Sequence, residues 1–128
     1  TALTADMEME LDNGDREVII NLRPLPKATQ LLPNYPNPFN PETWIPFQLA
    51  EDEIVTTKIY DLTGKRIRMI ELGHISAGNY VESGKAIYWD GKTESGELVS
   101  SGTYFYQIEA GDYRATRKMV ILKWEESE

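Results

Sequence analysis

The chain of 128 residues has no cysteine and a single histidine, His74. Without thiols there are no disulfides, thiolate metal sites or cysteine nucleophiles, and a chain of this length buries enough surface to fold without such staples. The compartment stays open. His74 sits in a glycine-bounded stretch with no serine or carboxylate spaced around it in a catalytic pattern, so a general base would lack its partners. Bases are outnumbered, 13 against 21 acids, for a formal charge of −8. That argues against nucleic acid as a partner, because neutralising phosphates takes clustered Lys and Arg. No window approaches the roughly 20 apolar residues of a membrane helix. The opening TALTADMEME has neither the basic start nor the apolar run of a leader. Because its first residue is Thr and not Met, the chain reads as a piece of a longer protein, and if that parent is exported its signal lies far upstream.

Cofactor chemistry finds little support. The SGK at 83–85 lacks the upstream glycine of a phosphate-cradling loop. Asp90, Glu94 and Glu97 are hard oxygen donors of the kind calcium takes, but their spacing matches no calcium loop. No cofactor, metal site or enzymatic activity is expected.

What the sequence does have is proline in one place. Five of its seven prolines fall between Pro33 and Pro46, in LLPNYPNPFNPETWIPFQLA, where each fixes φ and removes a backbone donor. This run predicts a stiff, polyproline-like lead-in. Tyr35 and Phe39 would pin it to the domain edge, and Asn37 and Asn40 would bond nearby backbone.

Elsewhere apolar and polar residues alternate with a period of two, the signature of strands. ADMEMEL and REVIINL flank DNGD, which predicts a hairpin before Pro24. Ile45, Phe47 and Leu49 alternate, with Pro46 pointing to an edge strand. IVTTKIY and KRIRMIEL flank DLTG, a turn with Asp61 at its start and Gly64 at its end. GHISAGNYVESGK reads as a loop, AIYWD as a short strand, and ELV as a brief strand inside turn-rich sequence. TYFYQIEAGDYRATRKMVILK predicts a closing hairpin about AGD. In its second strand either Met119 and Ile121 or Val120 and Leu122 face inward.

About seven strands spaced every 8–12 residues are the pattern of an all-β, immunoglobulin-like, two-sheet antiparallel sandwich. The expected division is a hairpin and connector over 1–30, the immunoglobulin-like domain over 31–124 with its proline latch at 33–46, and an acidic tail at 125–128. The predicted core holds Ile45, Phe47, Ile59, Ile67, Trp89, Tyr106 and Ile108. Trp44, Tyr88, Trp89, Tyr104, Phe105 and Tyr106 could make a sugar-stacking platform, but one alternate set of strand aromatics must fill the core, with Trp89 a natural plug between the sheets. Lys65, Arg66 and Arg68, with Arg114, Arg117 and Lys118, read as a solvated basic face.

Five marks in order carry a resemblance: YPNPFNP, IYDLTGKRIR, WDG, SGTYFY and TRKMVILK. Over residues 31–123 the chain resembles bacterial C-terminal domains described as flagellar hook-capping-protein-like immunoglobulin domains or as type IX (Por) secretion sorting domains. The motif positions are Tyr35, Asn37, Pro38, Phe39, Asn40 and Pro41 in the latch. Tyr60, Asp61, Gly64, Trp89, Asp90, Gly91, Gly102 and Tyr104 mark the turns and core, and Arg117, Lys118 and Lys123 the last strand. The resemblance implies a non-catalytic, monomeric module that sorts or anchors a larger exported protein at the cell surface. Its partners would be the outer-membrane secretion machinery or upstream domains of its own chain. The alternative reading is a module of an extracellular protein that docks a protein or a glycan.

Overall fold

The computed structural model describes residues 25–123, so the hairpin expected before Pro24 and the acidic tail lie outside the described residues. Nine strands follow in order. They are β1 (Gln30–Leu31), β2 (Thr43–Ile45), β3 (Phe47–Leu49), β4 (Glu53–Tyr60), β5 (Arg66–Ile75), β6 (Gly78–Tyr80), β7 (Ile87–Trp89), β8 (Gly102–Ala110) and β9 (Tyr113–Ile121). The described residues are all-β. One layer is a four-stranded sheet in the order β5-β4-β8-β9, and the other is made of two short sheets, β1-β3-β6 and β2-β7. Every pairing between named strands is antiparallel.

Alternation explains the core. Val55, Thr57 and Ile59 of β4, Tyr104, Tyr106, Ile108 and Ala110 of β8, and Met119 and Ile121 of β9 are all buried. Of the two registers open for the last strand, Met119 and Ile121 face inward. Opposite them lie Leu31, Ile45, Phe47, Leu49, Ile87 and Trp89. Ile67 differs from expectation: it is only partly buried against this cluster, because it lies at the start of edge strand β5.

Three elements depart from the sequence reading. Pro46 does not mark an edge strand but divides two strands. With no N–H to give, it interrupts the ladder, so β2 pairs with β7 while β3 sits in the middle of its own sheet. Pro46 is itself buried, and its carbonyl accepts the Leu32 N–H at 3.0 Å. The GHISAGNY stretch is largely strand, since β5 runs on to Ile75 through a register shift opposite Val55 and Thr56. Gly73 there takes φ of +76°, which lets a glycine act as a bulge instead of a stop. Tyr80 of β6 then stacks on Phe47 at 4.9 Å and 7°. The ELV stretch forms only an isolated bridge between Leu98 and Lys92, with Val99 buried behind it.

Two turns form as their residues dictate. Gly64 donates to the Asp61 carbonyl at 2.9 Å, and the Asp61 carboxylate accepts from the N–H groups of Thr63 and Lys65. Gly111 and Asp112 join β8 to β9.

Trp89 is fully buried between Phe39 (ring centres 5.8 Å apart) and Tyr104 (6.2 Å). Truncating such a side chain costs about 3–5 kcal/mol. Trp89→Ala should leave the domain largely unfolded at 37 °C, and an unchanged melting temperature would refute its place at the centre of the core.

Candidate functional site

Proline removes donors, so the proline run must find partners for the few backbone groups it keeps. It does so by turning back on itself. Gln30 and Leu31 pair with Gln48 and Phe47, and Tyr35 bridges Trp44. The segment thus runs antiparallel beside residues 43–49 instead of leading away as an extended polyproline path. Three of its X–Pro bonds, at Pro36, Pro38 and Pro41, are cis.

Side chains from the opposite layer reach across to hold it. The Tyr106 hydroxyl accepts the Asn34 N–H at 2.9 Å and donates to the Leu32 carbonyl at 2.9 Å. The Leu31 N–H donates to the Tyr113 hydroxyl at 3.0 Å, and Arg117 Nε donates to the Leu31 carbonyl at 3.1 Å. Beneath this clasp, buried Asn34 donates to Thr43 Oγ1 at 3.0 Å, and Thr43 donates to the Pro36 carbonyl at 3.1 Å. Burial of Tyr106 pushes its phenol up to about 12.

At its far end the latch meets the edge of β9. Phe39 is 2% exposed. Its N–H donates to the Val120 carbonyl and its carbonyl accepts from Leu122, a parallel bridge. Asn37 Oδ1 accepts the Val120 N–H at 3.0 Å. Pro41 lies on Gly91, where φ is +79° and a Cβ would come within 2.4 Å of the Pro41 carbonyl oxygen. Only glycine fits both demands. In the same turn the Asp90 carboxylate accepts from the Lys92 N–H and from Arg68, each at 3.0 Å. The Trp89 indole donates to the Lys92 carbonyl at 2.9 Å.

The remaining motif positions scatter. Tyr35 is half-buried, stacks on Trp44 at 6.2 Å and donates its hydroxyl to the Val81 carbonyl. Tyr104 donates to the Ser100 carbonyl. Gly102 opens β8 opposite Ile121, and Tyr60 and Lys118 both pair with Phe105, on its two sides. Lys123 donates its backbone N–H to Ser101 Oγ. The expected basic face is divided: Arg68 turns to Asp90 and Arg117 to the latch, while Lys65, Arg66, Arg114 and Lys118 stay exposed. His74 is exposed on β5. Among the described residues no three His, Cys, Asp or Glu side chains stand where they could hold a metal ion. Trp44 is half-buried between Tyr35 and Tyr88, which leaves Tyr88 as the exposed member of that strip.

The family model that matches, over residues 42–113, describes the FlgD Ig-like domain. The chain belongs to the FlgD Ig-like domain family. Dimeric latent PorU from Porphyromonas gingivalis shares the fold, with a TM-score of 0.56 at 18% identity over 84% of this chain and 10% of its own. FlgD from P. aeruginosa aligns at 27% identity and a TM-score of 0.44, over 57% of this chain and 54% of its own. No curated protein matches the sequence. The chain thus spans a tenth of the first and about half of the second.

Two experiments test the clasp. Tyr106→Phe leaves the Leu32 carbonyl and Asn34 N–H without their partner, a loss of about 1–3 kcal/mol. The raised phenol adds a signature. Between the ordinary tyrosine value near 10 and about 12, the native state holds a proton that the unfolded state has lost. This part of the stability is full below pH 10 and drains as pH rises. The gap between the wild type and Tyr106→Phe in denaturant midpoint should therefore narrow from pH 9 to 11, and a pH-independent gap would refute the buried, protonated state of the phenol, whereas the absence of any gap at pH 7 would refute the clasp. Separately, deleting residues 1–41 should lower stability beyond the effect of deleting 1–24, because it also removes Phe39 and the clasped backbone. Burial and hydrogen bonds of this kind sum to at least about 3 kcal/mol. Equal midpoints for the two truncations would mean the proline run is a free linker.

Proposed function

We propose that the domain is the non-catalytic C-terminal module of a larger exported protein, sorting it to or anchoring it at the bacterial cell surface. The observation that carries this reading is the clasped latch. The segment through which the chain enters the domain is fastened to both layers, so entry segment and sandwich form one body that a receptor can handle as a unit. Membership of the FlgD Ig-like family supports an accessory module over an enzyme. The fold also recurs as a small part of the much longer PorU, which fits a module working beside upstream domains of its own chain. The other partner would be the outer-membrane secretion machinery of a type IX system, met after transit through the periplasm.

The test is a fusion of residues 31–128 to a periplasmic reporter in a type IX-competent host. The reporter should reach the surface or the medium. If it folds and stays in the periplasm, the sorting reading is lost.

One observation favours a second reading, docking of a protein partner by strand addition. The outer edge of β5 is covered at its start, where Glu94 donates its N–H to the Ile67 carbonyl and its carboxylate accepts the Met69 N–H. Among the described residues nothing pairs with that edge from Glu71 to Ile75, and such an edge is a template for another strand. A pull-down that recovers a surface protein from a host without type IX secretion would favour docking over sorting.

A further inference from the structure

The outer face of the four-stranded sheet holds four side chains in one row. Arg66 on β5 stands opposite Tyr60 on β4, Tyr60 opposite Phe105 on β8, and Phe105 opposite Lys118 on β9. Ile59, Tyr104, Tyr106 and Met119 are buried, so alternation turns their neighbours Tyr60, Phe105 and Lys118 to the solvent side. A shift of register sets the first member of the row. Ile59 faces Arg68 but Tyr60 faces Arg66, so one extra residue, Ile67, bulges from β5. Unbroken pairing would have put Ile67 opposite Tyr60. Bulges re-aim side chains in this way, often beside functional sites.

The row keeps its polar and aromatic groups free. Among the described residues Lys118 has no ion pair, and the Tyr60 and Phe105 rings touch no other ring or cation. Arg66 meets the sulfur of Met69, at 3.6 Å. Acids stand off from it. Glu71 and Glu109 lie opposite Thr56, two rows away, and Glu109 is held by Lys58 at 3.2 Å. The Asp61 carboxylate, next in sequence to Tyr60, accepts the N–H groups of Thr63 and Lys65 within its own turn.

We propose that this row docks an extended acidic peptide segment of a partner protein, with two carboxylates four residues apart and an apolar side chain midway between them. Three strand spacings separate Arg66 from Lys118, about 14 Å. In an extended peptide four residues span about 13 Å, and residues i, i+2 and i+4 share a face. Laid across the strands, such a segment sets one carboxylate on each cation and its middle side chain over Tyr60 and Phe105. Charge complementarity selects the acids at both ends. The floor between them, two rings with a single hydroxyl, suits an apolar group, whereas the many hydroxyls of a sugar would find too few partners. Strands β4 and β8 are paired on both sides, so side chains alone make the contact. Its ion pairs are exposed and therefore sensitive to salt. The proposal is independent of the sorting reading.

An NMR titration of the isotope-labelled full chain with the peptide TETLTET, at low ionic strength, tests it. The control probe is TTELETT, of the same composition but with its acids two residues apart. TETLTET should shift the amide signals of Tyr60, Phe105 and Lys118 and bind several-fold tighter than TTELETT, and added salt should weaken it. Arg66→Glu combined with Lys118→Glu, both at exposed positions, should abolish the shifts while the far-ultraviolet circular dichroism is unchanged. If that pair unfolds the domain, Arg66→Gln with Lys118→Gln is read in the same way. Arg114→Glu, on the same strand and two rows from Lys118, should weaken binding far less than Lys118→Glu. Absence of shifts, equal affinity for the two peptides, or equal losses from Arg114→Glu and Lys118→Glu overturns the proposal. So does polygalacturonate binding at the row more tightly than TETLTET, which makes it a sugar site.

Discussion

Everything distinctive in this domain depends on how a donor-poor segment is held to a sandwich. Each proline removes an N–H, and the backbone groups that remain near the core cannot be left unpaired without a penalty of about 1–3 kcal/mol each. The Tyr106 hydroxyl meets two of these needs at once, taking the Asn34 N–H and giving its own proton to the Leu32 carbonyl. A phenol can do this because it is both donor and acceptor, and β8 delivers it by alternation, with its ring in the core and its oxygen at the far layer. Tyr113 and Arg117, from β9, repeat the arrangement at Leu31. The closing hairpin therefore does more than complete a sheet: it carries the side chains that fix where the chain enters.

This division of labour explains what could be read from the sequence. The strands of the four-stranded sheet announce themselves through alternation, as in IVTTKIY and TYFYQIEA, and the turns at Asp61 and Gly111 through local chemistry. The burial of Trp89 and Phe47 follows from the same pattern. The clasp was illegible because its partners lie 72 to 86 residues apart, and no local rule ties Tyr106 to Asn34. Tyr106 was legible as a core residue but not as a hydrogen-bonding one. Pro46 misled because proline in a strand signals either an edge or a break, and only the tertiary partner Leu32 decides between them. Gly73 misled in the same way, since a glycine that ends one strand bulges another.

The aromatic strip shows a similar choice. Trp44 with Tyr35 and Tyr88 could have been a platform for a ligand. The rings of Tyr35 and Trp44 lie within 18° of parallel at 6.2 Å, the geometry of cross-strand neighbours that stabilise a short sheet. With only three residues per strand, β2 and β7 have few backbone rungs, and ring contacts between facing side chains supply what the ladder lacks. The Tyr88 hydroxyl is further anchored on the Glu42 carboxylate at 2.5 Å. Such a strip holds the second layer together along the line where Pro46 splits it.

The residues that carry the resemblance now have physical roles, and most of those roles are internal. Phe39 and Trp89 are buried against each other. Gly91 makes room for Pro41, and Asn37 caps the edge of β9. In the folded domain Phe39 and Trp89 are almost wholly removed from the surface. The motifs therefore specify the joint between latch and sandwich, while Ile54, Leu62, Tyr88 and Leu98 are the large apolar side chains that lie exposed outside it. The signature is one of architecture: it fixes how latch and sandwich join and leaves the outward-facing side chains of both layers unconstrained.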